Sequence, residues 1–443
     1  MQRALALDAS PPLGFALRFF VTAPLHVALS LIVIAYYGPE ALQTRWHPAI
    51  LAITHLLALG ALAQTMFGAM LQILPVATGV HIIRSNVYLW GIYASLNAGT
   101  LCLALAFLNQ QPAFFGYGFV LLLFAFGAFV GTAAWALWRD RQQITKGAPT
   151  ILRAVRFALL SLLITLLLGL YLAGHLALSW SLPRQLTNLH AAWGLMGWVG
   201  LLLIGISFQV IPIFQVTERF PDPITRWLAA VIFAGLLGLS LLTTSKASGI
   251  MLVAVTTAIF TAYAIYGGVG LYLLYHRKRP QPDVTTLFWR TCFLSFFIIF
   301  GLWLASSYLG DAYPIILGFT ALFGVGWSAI NGMLYTILPF LFWYNAQRHA
   351  PVVIRSLPKV RHYLPDQQAN PQFFVHLLSL ILWLATLFGF SLMLYPAIVF
   401  GLLSLVWLYR NIWYATRNYQ AALALIQRTV DELTSHPSSE INK

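Results

Sequence analysis

The chain has 443 residues, of which 60% are hydrophobic and 8% charged, with a formal net charge of +14. A soluble domain covers its surface with charge, and this composition cannot, so the chain reads as an all-α polytopic membrane protein. Its lysines and arginines are spread over the connections instead of clustering on one polar face, which excludes a nucleic-acid-binding role.

Residues 1–14 lack the basic start and small-residue cleavage site of a signal peptide, so the first apolar run reads as a retained helix. A membrane-crossing helix needs about 20 apolar residues. Runs of that length occur at 15–37, 48–79, 87–108, 113–138, 151–180, 186–214, 224–243, 249–275, 284–308, 313–345, 373–394 and 396–417. They predict twelve transmembrane helices in a single membrane domain, 1–417, followed by a polar cytoplasmic tail, 418–443. The part after Arg410 is expected to lie along the membrane surface before fraying. The longest connection, about 346–372, is basic and carries Pro351, Pro358 and Pro365. Cys102 and Cys292 lie in apolar runs and read as small core residues, which leaves no disulfide framework.

Orientation follows from the basic residues. With both termini in the cytoplasm, all lysines and arginines except Arg45, Arg184 and Lys246 fall on the inner side. Arg139, Arg141, Lys146, Arg153 and Arg156 follow helix 4. Arg277, Lys278 and Arg279 follow helix 8, and Arg348, Arg355, Lys359 and Arg361 follow helix 10.

Helix 2 contains THLLALGALAQTMFGAMLQILPVATG, residues 54–79, and its pattern recurs. Gly60, Gly68, Gln72 and Pro75 on helix 2 match Gly197, Gly205, Gln209 and Pro212 on helix 6. Gly324, Gly332, Thr336 and Pro339 on helix 10 make a third copy, the copies lying 137 and 127 residues apart. Each copy sits on the second helix of a four-helix block, so the twelve helices divide into three pseudo-repeated blocks, about 15–138, 151–275 and 284–417. The six glycines read as helix-packing positions. Gln64, Gln72, Gln209 and Asn331 are polar groups in the interior that need partners.

Ionisable groups inside a membrane are functional candidates. All acidic residues fall in connections, tails or helix ends, which argues against a transporter driven by a mid-membrane carboxylate. The histidines remain. His47, His55, His175 and His190 point to the outer half, and His26 lies near the middle of helix 1. His81, His276, His349, His362, His376 and His436 are placed at or near the cytoplasmic side. Neutral imidazole is a common haem and copper ligand, which makes His55 and His190 the candidate cofactor ligands and His26 and His175 further metal candidates. His55 precedes Gly68 by 13 residues and His190 precedes Gly205 by 15. At about 100° per residue the two rings are therefore out of phase by roughly 160° relative to the repeat. Two separate sites, or one ligand and one structural residue, both stay open.

Twelve helices in three blocks with a histidine toward the outer end of helix 2 resemble subunit I of the haem–copper oxidases. The nearer resemblance is to the NnrS-like branch, whose second helix carries H-E-M-L-F-G…G…P-x-x-T-G. His55, Gly60, Gly68, Pro75, Thr78 and Gly79 match it, and HAAWGLMGWVG at 190–200 is similar to a later histidine- and glycine-rich helix of that family. The family's preceding histidine and following glutamate are replaced by Ile53 and Leu56. Helix 7 has no histidine pair and helix 10 reaches Asn345 without a histidine, which argues against a copper-B centre and a terminal oxidase.

The resemblance implies b-type haem or copper as cofactor, a bacterial inner-membrane location, and a role in nitric-oxide response, electron transfer or support of a respiratory or denitrification component. A permease for a small solute and a metal-free accessory or assembly subunit are the competing readings.

Overall fold

The computed structural model describes residues 10–83, 85–141, 149–245, 248–349 and 358–435; Lys146, Lys246, Arg355 and His436 lie outside them. Among the described residues there are twelve helices long and apolar enough to cross a membrane. They are α1 Leu13–Tyr37, α2 Pro48–Thr78, α3 Asn86–Asn109, α4 Pro112–Arg139, α5 Thr150–Ala177 and α6 Arg184–Phe214. The second half comprises α7 Asp222–Thr244, α8 Gly249–Tyr275, α9 Val284–Leu304, α10 Ser306–Arg348, α11 Asp366–Leu387 and α12 Ser391–Asp431. The protein is an all-α polytopic membrane protein. In a bilayer only structures that satisfy their own backbone hydrogen bonds span the apolar layer, and helices do so segment by segment.

Ser10, Gln72 and Arg348 meet at one end of the bundle, where the Gln72 Nε2 donates to the Ser10 Oγ at 2.7 Å and the Arg348 guanidinium to the Ser10 carbonyl. We call this the terminal end. Arg45, Arg184 and Asn188 meet at the opposite, distal end.

The threefold pattern is physical. The first helix of each block packs on the second through the paired glycines. A Cβ at Gly60 would overlap the His26 ring, one at Gly197 would lie 2.7 Å from the Ser161 Cβ, and one at Gly324 2.7 Å from the Ser295 Oγ. Two turns further on, Gly68 faces Phe19 and Phe20, Gly205 faces Ala154, and Gly332 faces Phe288. His26, Ser161 and Ser295 thus hold equivalent places, and so do Phe19, Ala154 and Phe288.

Each second helix also widens into an eight-residue π-helical segment, Leu56–Ala63, Trp193–Gly200 and Thr320–Trp327. These segments have the same offsets as the glycines. Such insertions shift the hydrogen-bond pattern and recur at functional sites. Here the Tyr263 hydroxyl donates to the Met196 carbonyl inside the second segment. The three widened segments lie at the centre of the bundle, the third touching both others, and Leu62 of the first fills the space left by Gly326 of the third. Around them α4 packs on α5, α8 on α9 and α12 on α1, closing the three blocks into a ring.

The expected surface-lying tail is corrected. The last helix runs without a break to Ser435. Its polar part stays on the protein because the Tyr419 hydroxyl donates to the Asn345 Oδ1 at 2.6 Å, its ring stacks on Phe342, and Ile426 packs on Ala346. At the same end the buried Arg277 guanidinium donates to Gln215, Thr286 and the carbonyls of Arg279 and Gln281, which ties the α8–α9 connection down.

Candidate functional site

A cavity of about 830 Å³ opens at the distal end between the first two blocks, with α10 and α11 closing its far wall. Its size is that of a cofactor or drug-sized ligand site. Its lining is almost wholly apolar, and His55 and His190 are its two imidazoles.

The two rings lie 6.3 Å apart between centroids, with their planes 21° from parallel. This answers the question left open by the helical phase. In a closed ring of similar units each contact is head-to-tail, so one face of a unit meets a different face of the next, and the residues that meet are non-equivalent. His55 is matched by Ala192 and Phe319 in the other blocks, and His190 by Ile53 and Leu317. The phase difference is what allows α2 and α6 to present one histidine each to the same space.

Both rings are fixed through one nitrogen. The Nδ1 of His55 bonds the Leu51 carbonyl at 2.7 Å, and the Nδ1 of His190 bonds the Thr165 carbonyl at 3.1 Å. A carbonyl only accepts, so each Nδ1 carries the proton and each Nε2 is left with a bare lone pair. Neither Nε2 has a hydrogen-bond partner among the described residues. Metal-binding histidines are oriented in the same way, by a backbone or carboxylate acceptor on the second nitrogen.

Gly169 of α5 supports His190. A Cβ there would lie 2.8 Å from the ring's Cε1. Because Gly169 follows Thr165 by one turn, its missing side chain also leaves the Thr165 carbonyl open to the imidazole. Phe107 of α3 packs against His55 with ring centroids 5.0 Å apart. The mouth carries Arg45, which donates to the Asn188 Oδ1 at 2.7 Å and lies over the Trp46 ring, with Arg184 also near that ring. Burial first, and then Arg184, lower the Arg45 pKa from its ordinary value. Among the described residues no carboxylate pairs with Arg45, so the mouth offers an unneutralised cation.

The other candidates lie elsewhere. His26 is buried against Gly60, outside the cavity, and neither of its ring nitrogens makes a well-formed hydrogen bond. His175 is half-buried, with its Nδ1 on the Ser181 carbonyl and its ring against Tyr171 and Trp180. His376, expected near the cytoplasmic side, is instead buried halfway along α11, its Nε2 2.9 Å from the Ser328 Oγ. Gln64 and Asn331 are fully buried with both amide atoms unpartnered. None of Gln64, Gln72, Gln209 and Asn331 lines the cavity. Sequence reasoning missed Gly169, hidden in a leucine-rich run, and Phe107, one aromatic among many.

Among the described residues no group of three or more His, Cys, Asp or Glu side chains could hold a metal ion. Two imidazoles alone do not complete the four-ligand shell of a structural zinc site. They do suffice for haem, which brings four nitrogens and needs only axial ligands. The cavity, the bare Nε2 pair and the Gly169 cradle therefore fit a haem. Comparison with protein-family models and with curated proteins finds no match to the chain.

Proposed function

We propose that the chain is a non-oxidase relative of haem–copper oxidase subunit I that holds one b-type haem through His55 and His190. The observation that carries this reading is the pair of imidazoles 6.3 Å apart in one apolar cavity. Each is locked by a backbone carbonyl so that its Nε2 is free to ligate. The ring of three four-helix blocks supports the same reading.

The Leu51 and Thr165 carbonyls orient the ligands, Phe107 braces His55, and the apolar walls keep water from the site. Arg45 at the mouth suits the acidic edge of a porphyrin. His55 and His190 would hold the haem through their Nε2 atoms, and a haem held there would supply one-electron chemistry. Electron transfer to or from a respiratory or denitrification component is the role that follows. Basic residues collected at the terminal end, among them Arg139, Arg277, Lys278 and Arg361, support an orientation with both termini in the cytoplasm and the cavity opening outward.

The solute-permease reading draws less support, because the four interior amides are not gathered around the cavity. The test is an oxidised and dithionite-reduced absorption spectrum of protein purified from haem-replete cells, with copper and zinc measured on the same sample. One haem per chain is expected, and His55→Ala and His190→Ala should each remove the low-spin bands. A colourless wild type would sink the proposal and favour an accessory or assembly subunit.

A further inference from the structure

The third block carries a polar column that the haem reading does not use. On α10, Ser328, Asn331 and Tyr335 share one face, and on α11 Gln368, Gln372 and His376 follow one another turn by turn. Ser404 and Asn411 lie two turns apart on α12. All of these except Gln368 are at least nine-tenths buried, and Asn331 and Gln372 have no exposure at all.

Hydrogen bonds link the three helices at successive levels. His376 Nε2 lies 2.9 Å from the Ser328 Oγ. Gln372 Nε2 donates to the Ser404 Oγ at 2.8 Å. Asn411 Nδ2 donates to the Tyr335 hydroxyl at 3.0 Å and to the Gln368 carbonyl at 3.1 Å. At the terminal end the exposed Arg410 guanidinium donates to the Gln368 Oε1 at 3.4 Å.

Polar groups that only hold helices together are used up in such bonds. Here many are not. Both amide atoms of Asn331, the Gln372 Oε1, the Asn411 Oδ1 and the indole nitrogen of Trp407 are buried without a partner. Each is costly in a membrane interior unless water reaches it. Groups of this kind, repeated at every turn between His376 and the terminal surface, are what a file of water needs along its walls.

We propose that α10, α11 and α12 enclose a hydrated proton path running from the terminal end to His376. The hydroxyls of Tyr335, Ser404 and Ser328 and the His376 ring pass protons, and the amides of Gln372, Asn331 and Asn411 orient the water between them. Among the described residues the ionisable groups on the path are His376, Tyr335 and, at its mouth, Arg410. Its inner end is closed. His376 borders a small space also lined by Leu31, Phe323 and Trp383, and these same three side chains line the large cavity. One apolar layer therefore separates the path from a cavity open at the opposite end. A constriction of that kind stops conduction by excluding water.

The test uses the full chain in liposomes with an internal pH dye and a clamped membrane potential. Wild type is expected to be tight. Trp383→Ala should raise proton flux by about tenfold or more by wetting the constriction, and adding Gln372→Leu should return it to the wild-type level. A misfolded protein would not be made tight by a second substitution. Phe323→Ala opens the same wall from α10 and serves if Trp383→Ala does not fold. A leak that Gln372→Leu leaves intact overturns the proposal. So does a folded opening variant, Trp383→Ala or Phe323→Ala, that is as tight as wild type. The experiment needs no haem, so its outcome is independent of the cofactor reading.

Discussion

On the proposed haem reading, Gly169→Leu is expected to abolish haem binding while leaving the bundle folded. A side chain at this position meets the His190 ring, since even a Cβ would stand 2.8 Å from its Cε1. It also covers the Thr165 carbonyl that fixes the ring's tautomer. The imidazole must then swing away or lose its acceptor, and either change spoils the alignment of the Nε2. Supporting groups of this kind are worth about 10–100-fold in metal affinity, and displacement of the ligand itself costs more. Haem content per chain in Gly169→Leu should fall to roughly a tenth of wild type or below. Leucine is already common on α5, so elution volume and helical circular dichroism should hold. Full haem retention would show that His190 does not act through this cradle.

Gly332→Ala is expected to be among the most destabilising single-methyl additions in the protein. The new Cβ would overlap the Cβ of Phe288, an atom fixed to the backbone of α9 that no rotamer change can move. The two helices must separate, and overpacking of this sort costs about 1–3 kcal/mol. Gly116→Ala adds the same methyl where nothing lies within 4 Å. Melting in detergent should therefore show a clear drop for Gly332→Ala and none for Gly116→Ala. Equal midpoints would contradict the role given to the repeated glycines.

The repeat was legible in the residues because glycine, glutamine or threonine, and proline recur at fixed intervals, and each has a packing or helix-ending cause. The π-helical segments were not legible. An inserted residue leaves no mark in a run that is apolar on every side. His55 and His190 were legible as ionisable groups in apolar helices, yet their meeting was not. Helical phase relates equivalent positions of the repeat, whereas a head-to-tail ring joins unlike faces. His376 was misplaced because the boundary expected at 373 began α11 seven residues late, the helix starting at Asp366. The polar stretch DQQANPQ reads as a connection by composition. Gln367 does stay exposed, but Gln372 is inside because Ser404 of α12 supplies a partner that no local pattern announces.

The claim that one metal centre is held by two imidazoles is tested most directly by electron paramagnetic resonance of the oxidised, haem-replete protein. If His55 and His190 held one haem iron with their planes still 21° from parallel, the two rings would act on the same iron d orbital. The expected result is a single rhombic low-spin ferric signal that disappears in both His55→Ala and His190→Ala. A high-spin signal, a low-spin signal that survives either substitution, or protein without haem would contradict it.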